Sequence, residues 1–231
     1  MKNRLSKRKK EFEKMVEKDK RYTLEEALAV IKNSPKVKFD QTVELAIKLN
    51  VDPKQITQPV RGTVTLPHGT GKKKSVCVFC KGDAENKAKE AGAEYVGHQE
   101  LVQKIQSGWC DFDVAIATPD MMKDIARLGK VLGPRGLMPN PKAGTVTDDV
   151  VTAINEVKKG KIEFKMDKQT NVQIPVGKLS FDNKALIENA DKAIHAVISA
   201  RPSSVKGQFI RSIALSSTMG PGLHLDLSKV S

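Results

Sequence analysis

The chain has 231 residues, 40 Lys and Arg against 27 Asp and Glu, and a formal net charge of +13. That length allows one or two domains, and that charge favours a polyanionic partner, nucleic acid ahead of an anionic membrane or an acidic protein. No run approaches the ~18 apolar residues of a membrane span, no apolar stretch follows the basic start Met1–Lys10 as it would in a leader, and three cysteines do not make a disulfide framework in a chain this size.

In chain order, residues 1 to about 20 read as a charged helix whose thin apolar stripe is Phe12, Met15 and Val16, either a solvated basic tail or an arm lying on RNA. Thr23 caps a second helix. Glu26 completes a capping box, Leu24, Leu28 and Ile31 form one face, and Asn33-Ser34-Pro35 stops it. Strict alternation follows. Val43, Leu45, Ile47 and Leu49 point one way and Thr42, Glu44, Ala46 and Lys48 the other, as in a half-buried antiparallel strand ended by Asp52-Pro53. Val60–Leu66 is a second such strand.

The pattern changes after Pro67. Val76–Cys80 is a continuous apolar run, as in a strand buried on both faces. Short helices at Ala84–Ala91, Leu101–Ile105 and Met121–Leu128 alternate with short strands at Glu94–Val96 and Val114–Ala117, which implies a parallel, Rossmann-like sheet. The segment Lys130–Lys142 crowds glycines, prolines and three basic residues together and is expected to be a defined, exposed loop, neither helix nor strand. A helix from Asp148 or Asp149 to Lys158 comes next.

From Gly160 alternation returns in Ile162–Met166 and Val172–Val176, with a turn at Gln169–Asn171 expected to make a hairpin. Asp182 caps a long helix running to Arg201-Pro202. A last alternating strand, Ile210–Leu215, leads into Ser217-Thr218-Met219-Gly220-Pro221. The expected architecture is therefore an α+β split domain, an antiparallel sheet with helices, built from residues 1–67 and 160–231. An inserted α/β Rossmann-like, three-layer domain occupies residues 68–159. The two crossings would form a hinge through Pro67, Gly69, Gly71, Lys159 and Gly160, where glycine permits backbone change.

Several motifs fail on spacing. Gly69-Thr70-Gly71-Lys72-Lys73-Lys74-Ser75 lacks the phosphate-loop spacing, and a strand follows it where a helix should. Cys77 and Cys80 lie three apart on a strand, so their sulfurs face opposite ways and read as buried structural thiols. The four His residues show no metal spacing, and neither a metal nor a cofactor is expected. A nucleotide-dependent enzyme is the rival reading, against which stands the missing Gly-x-Gly-x-x-Gly fingerprint; a generic basic nucleic-acid binder is another. With 4% aromatic residues, RNA binding would run through phosphate, sugar and shape, with one or two stacking side chains. Phe39, between Lys38 and Asp40, could be such a platform or a core residue where the strand begins. Ser216–Pro221 could hold sugar and phosphate close to backbone or could be an ordinary turn.

Lys130–Thr147 (KVLGPRGLMPNPKAGTVT) resembles the signature of the universal large-subunit ribosomal protein L1 family. Leu66–Lys72 is similar to that family's hinge and Thr218–Pro221 to its RNA-contacting turn, and the likeness spans essentially the whole chain, nearest the bacterial or organellar branch. The resemblance implies a non-enzymatic, cytoplasmic, ribosome-bound protein, monomeric off the ribosome and not associated with membranes. Its partners would be the ribosomal RNA of the mobile stalk, exit-site tRNA whose release the stalk assists, and its own operon messenger RNA, which it would repress. Carried over, the RNA contacts are Phe39, Thr42, Glu44, Ser212, Thr218, Met219 and Gly220, with Lys38 and Lys48 beside them. Glu44 would accept hydrogen bonds from a 2′-hydroxyl or base. The inserted domain's loop, with Gly133, Arg135, Gly136 and Lys142, resembles a second RNA-contacting surface. One departure is visible: Gln169-Thr170 stands where bacterial relatives more often have Thr-Gly, so the turn's shape is expected to change.

Overall fold

A computed structural model describes residues 7–17, 20–35, 37–52, 59–202, 205 and 207–227. Lys2, Arg4 and the strand-ending Pro53 lie outside the described residues. In chain order the elements are α1 (Lys7–Met15), α2 (Leu24–Lys32), β1 (Thr42–Leu49), β2 (Arg61–Thr65), β3 (Val76–Phe79), α3 (Asp83–Glu90), β4 (Tyr95–Gly97), α4 (Gln99–Gln106), β5 (Val114–Ala117), α5 (Met122–Ala126), α6 (Gly129–Leu132), α7 (Val150–Lys158), β6 (Lys161–Lys165), β7 (Asn171–Lys178), α8 (Asn183–Ser199), β8 (Ile210–Ser217) and β9 (Leu223–His224). They divide into two compact units, residues Met1–Gly71 with Ile162–Ser231, and Lys72–Lys161.

The first unit is built on a four-stranded antiparallel sheet in the order β7-β1-β8-β9. Val43, Leu45 and Ile47 of β1 meet Val172, Ile174, Ile213 and Leu215 on the inner face, where α2 and α8 lay down Leu28, Ile31, Ala190, Ile194 and Val197. Each fully buried Leu or Ile there contributes about 1.5–3 kcal/mol. The capping box that starts α2 is complete: Glu26 N–H donates to Thr23 Oγ1 and Thr23 N–H to Glu26 Oε2, both at 3.2 Å.

The unit corrects four expectations. The first helix ends at Met15, because beyond it the Glu17 N–H leaves the helical ladder and donates to the Tyr22 hydroxyl at 3.0 Å. The strands on either side of Gln169–Asn171 do not pair as a hairpin; β6 joins β2 in a separate two-stranded sheet, while β7 joins β1. Asp182 occupies the N-cap of α8 but its side chain makes no capping bond. Alternation in β8 breaks at Arg211, since Leu49 pairs with Ile210 and Lys48 with Ser212, which leaves Arg211 as the extra residue of a β-bulge.

The turn carrying Gln169-Thr170 holds Thr170 at φ 64°, the left-handed region a glycine would occupy without strain. The threonine is buried there. Its hydroxyl donates to Leu49 C=O at 3.3 Å, and Leu49 N–H donates back to Thr170 C=O at 2.9 Å.

The second unit is a parallel sheet in the order β4-β3-β5 with helices on both faces. Ala88 of α3 and Val150, Ile154 and Val157 of α7 cover Val76, Val78 and Ile116. Leu101 and Ile105 of α4, Ile125 of α5 and Leu132 of α6 cover Cys77, Phe79 and Ala115. Cys77 and Cys80 belong to these opposite layers, and burial pushes their thiols up to about 12 and about 11. The segment expected to lack helix begins inside one: Lys130, Val131 and Leu132 complete α6, and Leu132 is wholly buried. An apolar anchor, not glycine content, decides its first turn. The irregular part starts at Gly133 and includes a 3-10 turn at Pro141–Ala143, capped by Asn140.

Candidate nucleic-acid interface

The outer face of the four-stranded sheet carries no helix of the core cluster, and its residues fall in rows fixed by strand register. Lys178 and Thr42 share one row, and Pro175, Glu44 and Ser216 the next. Gln173, Ala46, Ala214 and His224 cross all four strands, and Asn171, Lys48 and Ser212 close the set. Small Ala46 and Ala214 make a low floor between polar rows. A sugar–phosphate chain can approach such a floor closely, while hydroxyls and amides at its borders offer hydrogen bonds. Glu44 is exposed, and its cross-strand neighbours Ser216 and Pro175 carry no charge, so its carboxylate is an acceptor open to an incoming donor. Lys48 is committed differently, its ammonium donating to Gln169 C=O.

At one end of this face a turn after β8 is clamped to the start of β1. Thr218 N–H donates to Thr42 C=O at 3.0 Å, and Thr42 N–H donates to Thr218 Oγ1 at 3.0 Å. Met219 N–H donates to Oε1 of Gln41, whose side chain is buried. Gly220 N–H donates to Ser217 C=O at 2.9 Å, and a Cβ on Gly220 would lie 2.3 Å from Ser217 Oγ. A side chain there requires the Ser217 hydroxyl to move. Before β1, Asp40 accepts from Ser180 N–H at 3.2 Å and Ser180 Oγ at 2.7 Å. Lys178 Nζ donates to Thr42 Oγ1 at 3.0 Å.

This bracing presents two apolar side chains to solvent. Phe39 is 53% exposed and Met219 51%, at the same end of the sheet, the two most exposed large hydrophobics among the described residues. The structure thus places Phe39 outside the core. Lys38 is exposed beside it.

The face therefore gathers Phe39, Thr42, Glu44, Lys48, Ser212, Thr218, Met219 and Gly220. Gly133, Arg135, Gly136 and Lys142 belong to the other unit, all exposed, in the loop after α6. Pro67, Gly69 and Gly71 close the first stretch of the first unit, and Lys159 and Gly160 lie near the end of the second. Gly71 takes φ 72°, and a Cβ there would meet Lys178 Cγ at 2.8 Å.

Sequence reasoning missed the buried Gln41 and Asn189 and named Ser217 only as part of the Ser216–Pro221 turn. Gln41 holds the Met219 turn, and Ser217 shapes the space under Gly220. Asn189, wholly buried on α8, accepts from His68 N–H at 3.1 Å and donates to Gly69 C=O at 3.0 Å and Val176 C=O at 2.7 Å. Asn189 sits on the apolar stripe of α8, and that misplaced amide was the only signal. Among the described residues, no group of three or more His, Cys, Asp or Glu side chains could hold a metal ion, and no helix is long and apolar enough to cross a membrane.

The model of a family described as the ribosomal protein L1p/L10e family matches residues 30–221. A protein named large ribosomal subunit protein uL1, from Protochlamydia amoebophila (strain UWE25), is 55% identical over 224 residues, which cover 97% of this chain and 95% of that protein.

Proposed function

The chain belongs to the ribosomal protein L1p/L10e family, and from that footing we propose that the outer face of its β7-β1-β8-β9 sheet is the surface that binds ribosomal RNA in the large subunit. The protein is a structural component of the cytoplasmic ribosome and not an enzyme. The observation that carries the assignment to this face is the pairing of exposed Phe39 and Met219 with a polar, alanine-floored sheet surface, held by the Thr42–Thr218 clamp.

In this reading Phe39 and Met219 pack against bases or sugars at one end. Glu44 accepts from a 2′-hydroxyl or a base amine, Ser212 and the Thr218–Gly220 backbone lie against the sugar–phosphate chain, and Lys38 and Lys178 supply charge. Thr42 and Thr218 act through the clamp that positions the turn. The RNA is the stalk junction of the large subunit, and the loop at Gly133–Lys142 of the second unit is a separate, weaker RNA contact. Release of deacylated exit-site tRNA, and repression through a like structure in the protein's own messenger, complete the function; both rest on the family resemblance. A hinge through Pro67, Gly69, Gly71, Lys159 and Gly160 belongs to the same reading, and Asn189 holds His68 N–H and Gly69 C=O on its first-unit side.

The test is the binding of Phe39→Ala, Glu44→Gln and Met219→Ala variants to a stalk RNA fragment and to a scrambled RNA of equal length. Each variant is expected to lose about 1–3 kcal/mol of binding to the stalk RNA with little change on the scrambled one. Wild-type preference in all three would remove the face from the site.

A further inference from the structure

Beyond β9 the chain adds one more ladder position to the sheet. Tyr22 N–H donates to His224 C=O at 2.9 Å, Asp226 N–H donates to Tyr22 C=O at 3.0 Å, and Tyr22 bridges Leu225 in parallel sense. Tyr22 is buried, so the alternation of an extended chain puts Arg21 on the opposite, outer side, where His224 also lies between inward Leu223 and Leu225. On β8 the bulge turns two consecutive side chains, Arg211 and Ser212, away from the core, where an unbroken strand would have sent one of them inward. Together these features border an open cleft of about 390 Å³ lined by Lys20, Arg21, Arg211, Ser212 and His224 over an apolar base of Leu225 and Leu227, with no carboxylate among its described lining residues.

We infer that this cleft binds the backbone phosphates of the bound RNA, as a clamp continuing the path of the strand from Ser212 past the β9 edge. The inference rests on the proposed RNA-binding face and adds to it a group of contacts that carry charge and not sequence. The cations facing one space repel each other, and a phosphodiester anion relieves that repulsion while offering acceptors to both guanidinium forks. The volume falls within the range of about 300–1,000 Å³ typical of ligand sites, which suits a sugar–phosphate unit. Ser212 ties the cleft to the sheet, since its ladder partner Lys48 belongs to the face itself. The bulge is the device that makes one strand serve both places.

The experiment compares the full chain with Arg21→Gln/Arg211→Gln and with Arg21→Lys/Arg211→Lys. Affinities for the stalk fragment and the scrambled RNA are measured across a salt series. Each phosphate contact removed lowers the slope of log K against log salt by about 0.7–0.9. The Gln variant is therefore expected to show a slope shallower by roughly one to two, with both RNAs weakened by a similar factor, on the order of tenfold at low salt, and with the preference ratio kept. The Lys variant should restore most of the slope. Wild-type slope and affinity in the Gln variant on both RNAs would overturn the cleft assignment. A wild-type protein with no preference for the stalk fragment would overturn the face assigned above, while the slopes on the scrambled RNA still decide the cleft. Circular dichroism checks folding; if the double variant is unfolded, Arg21→Gln alone carries the slope test, because Arg21 lies outside the β8 bulge.

Discussion

Thr42 and Thr218 hold each other by three bonds: Thr42 N–H donates to Thr218 Oγ1 and Thr218 N–H to Thr42 C=O, both at 3.0 Å, and the Thr218 hydroxyl donates to Thr42 C=O at 3.3 Å. The hydroxyl of Thr218 is thereby spent inside the protein. Thr218→Val, which keeps the shape and removes both the acceptor for Thr42 N–H and the donor to Thr42 C=O, should lower stability by about 1 kcal/mol and weaken stalk-RNA binding through displacement of the Met219 turn. Thr218→Ser should restore both. Urea unfolding with RNA titration reads the two effects, and an unfolding midpoint unchanged in the Val variant would show that the clamp holds nothing.

Gly220 and Ser217 form a second coupled pair. Gly220→Ala drives a methyl toward Ser217 Oγ, to 2.3 Å if nothing moves. That oxygen is buried with no hydrogen-bond partner, so Ser217→Ala alone should change stability and binding little. In the double variant most of the loss caused by Gly220→Ala should return. A double-mutant cycle measures this directly, and strict additivity of the two changes would refute the proposed contact.

Asn189 makes three hydrogen bonds from a wholly buried position. Asn189→Leu fills the volume but abandons His68 N–H and the carbonyls of Gly69 and Val176. The expected loss is on the order of 3 kcal/mol in denaturant unfolding. A variant as stable as wild type would mean that solvent satisfies those groups.

Asp113 gives the second unit a pH signature. Lys72 Nζ donates to its carboxylate at 2.6 Å, and Ser75 donates through its N–H at 3.1 Å and its hydroxyl at 3.3 Å. The Lys72 hydrogen bond first, then the bonds from Ser75, hold the Asp113 carboxyl below the usual carboxylate range against the opposing effect of burial. A depressed folded-state pKa stabilises at pH above the unfolded value of about 3.9, and that stabilisation is lost as pH falls through the folded value. Asp113→Asn should therefore be less stable than wild type at neutral pH and converge with it in acid. A constant difference from pH 7 down to pH 2 would assign the effect to packing and not to charge.

Elements whose cause is local were readable in the residues. The Thr23–Glu26 capping box and the in–out alternation of Thr42–Leu49 each depend on side chains a few positions apart. What could not be read depends on partners far along the chain. Ile162–Met166 and Val172–Val176 look like a hairpin, yet β2 claims the first strand and β1 the second. Arg211 becomes a bulge because of its register against Lys48 and Leu49. Thr170 holds a left-handed φ, and the bonds that tie it down come from Leu49, more than a hundred positions away. In the candidate site, Phe39 could be named but its exposure could not be fixed, and Gln41 carried no signal because its partner, Met219, lies far along the chain.

The most direct measurement is the affinity of the full chain for a stalk RNA fragment against a scrambled RNA of equal length from low to high salt. Shape-specific docking on the sheet face is expected to give a preference of about 10³-fold or more that survives as salt rises. Equal binding of both RNAs, collapsing together with salt, would contradict it and leave only the attraction of a +13 chain for any polyanion.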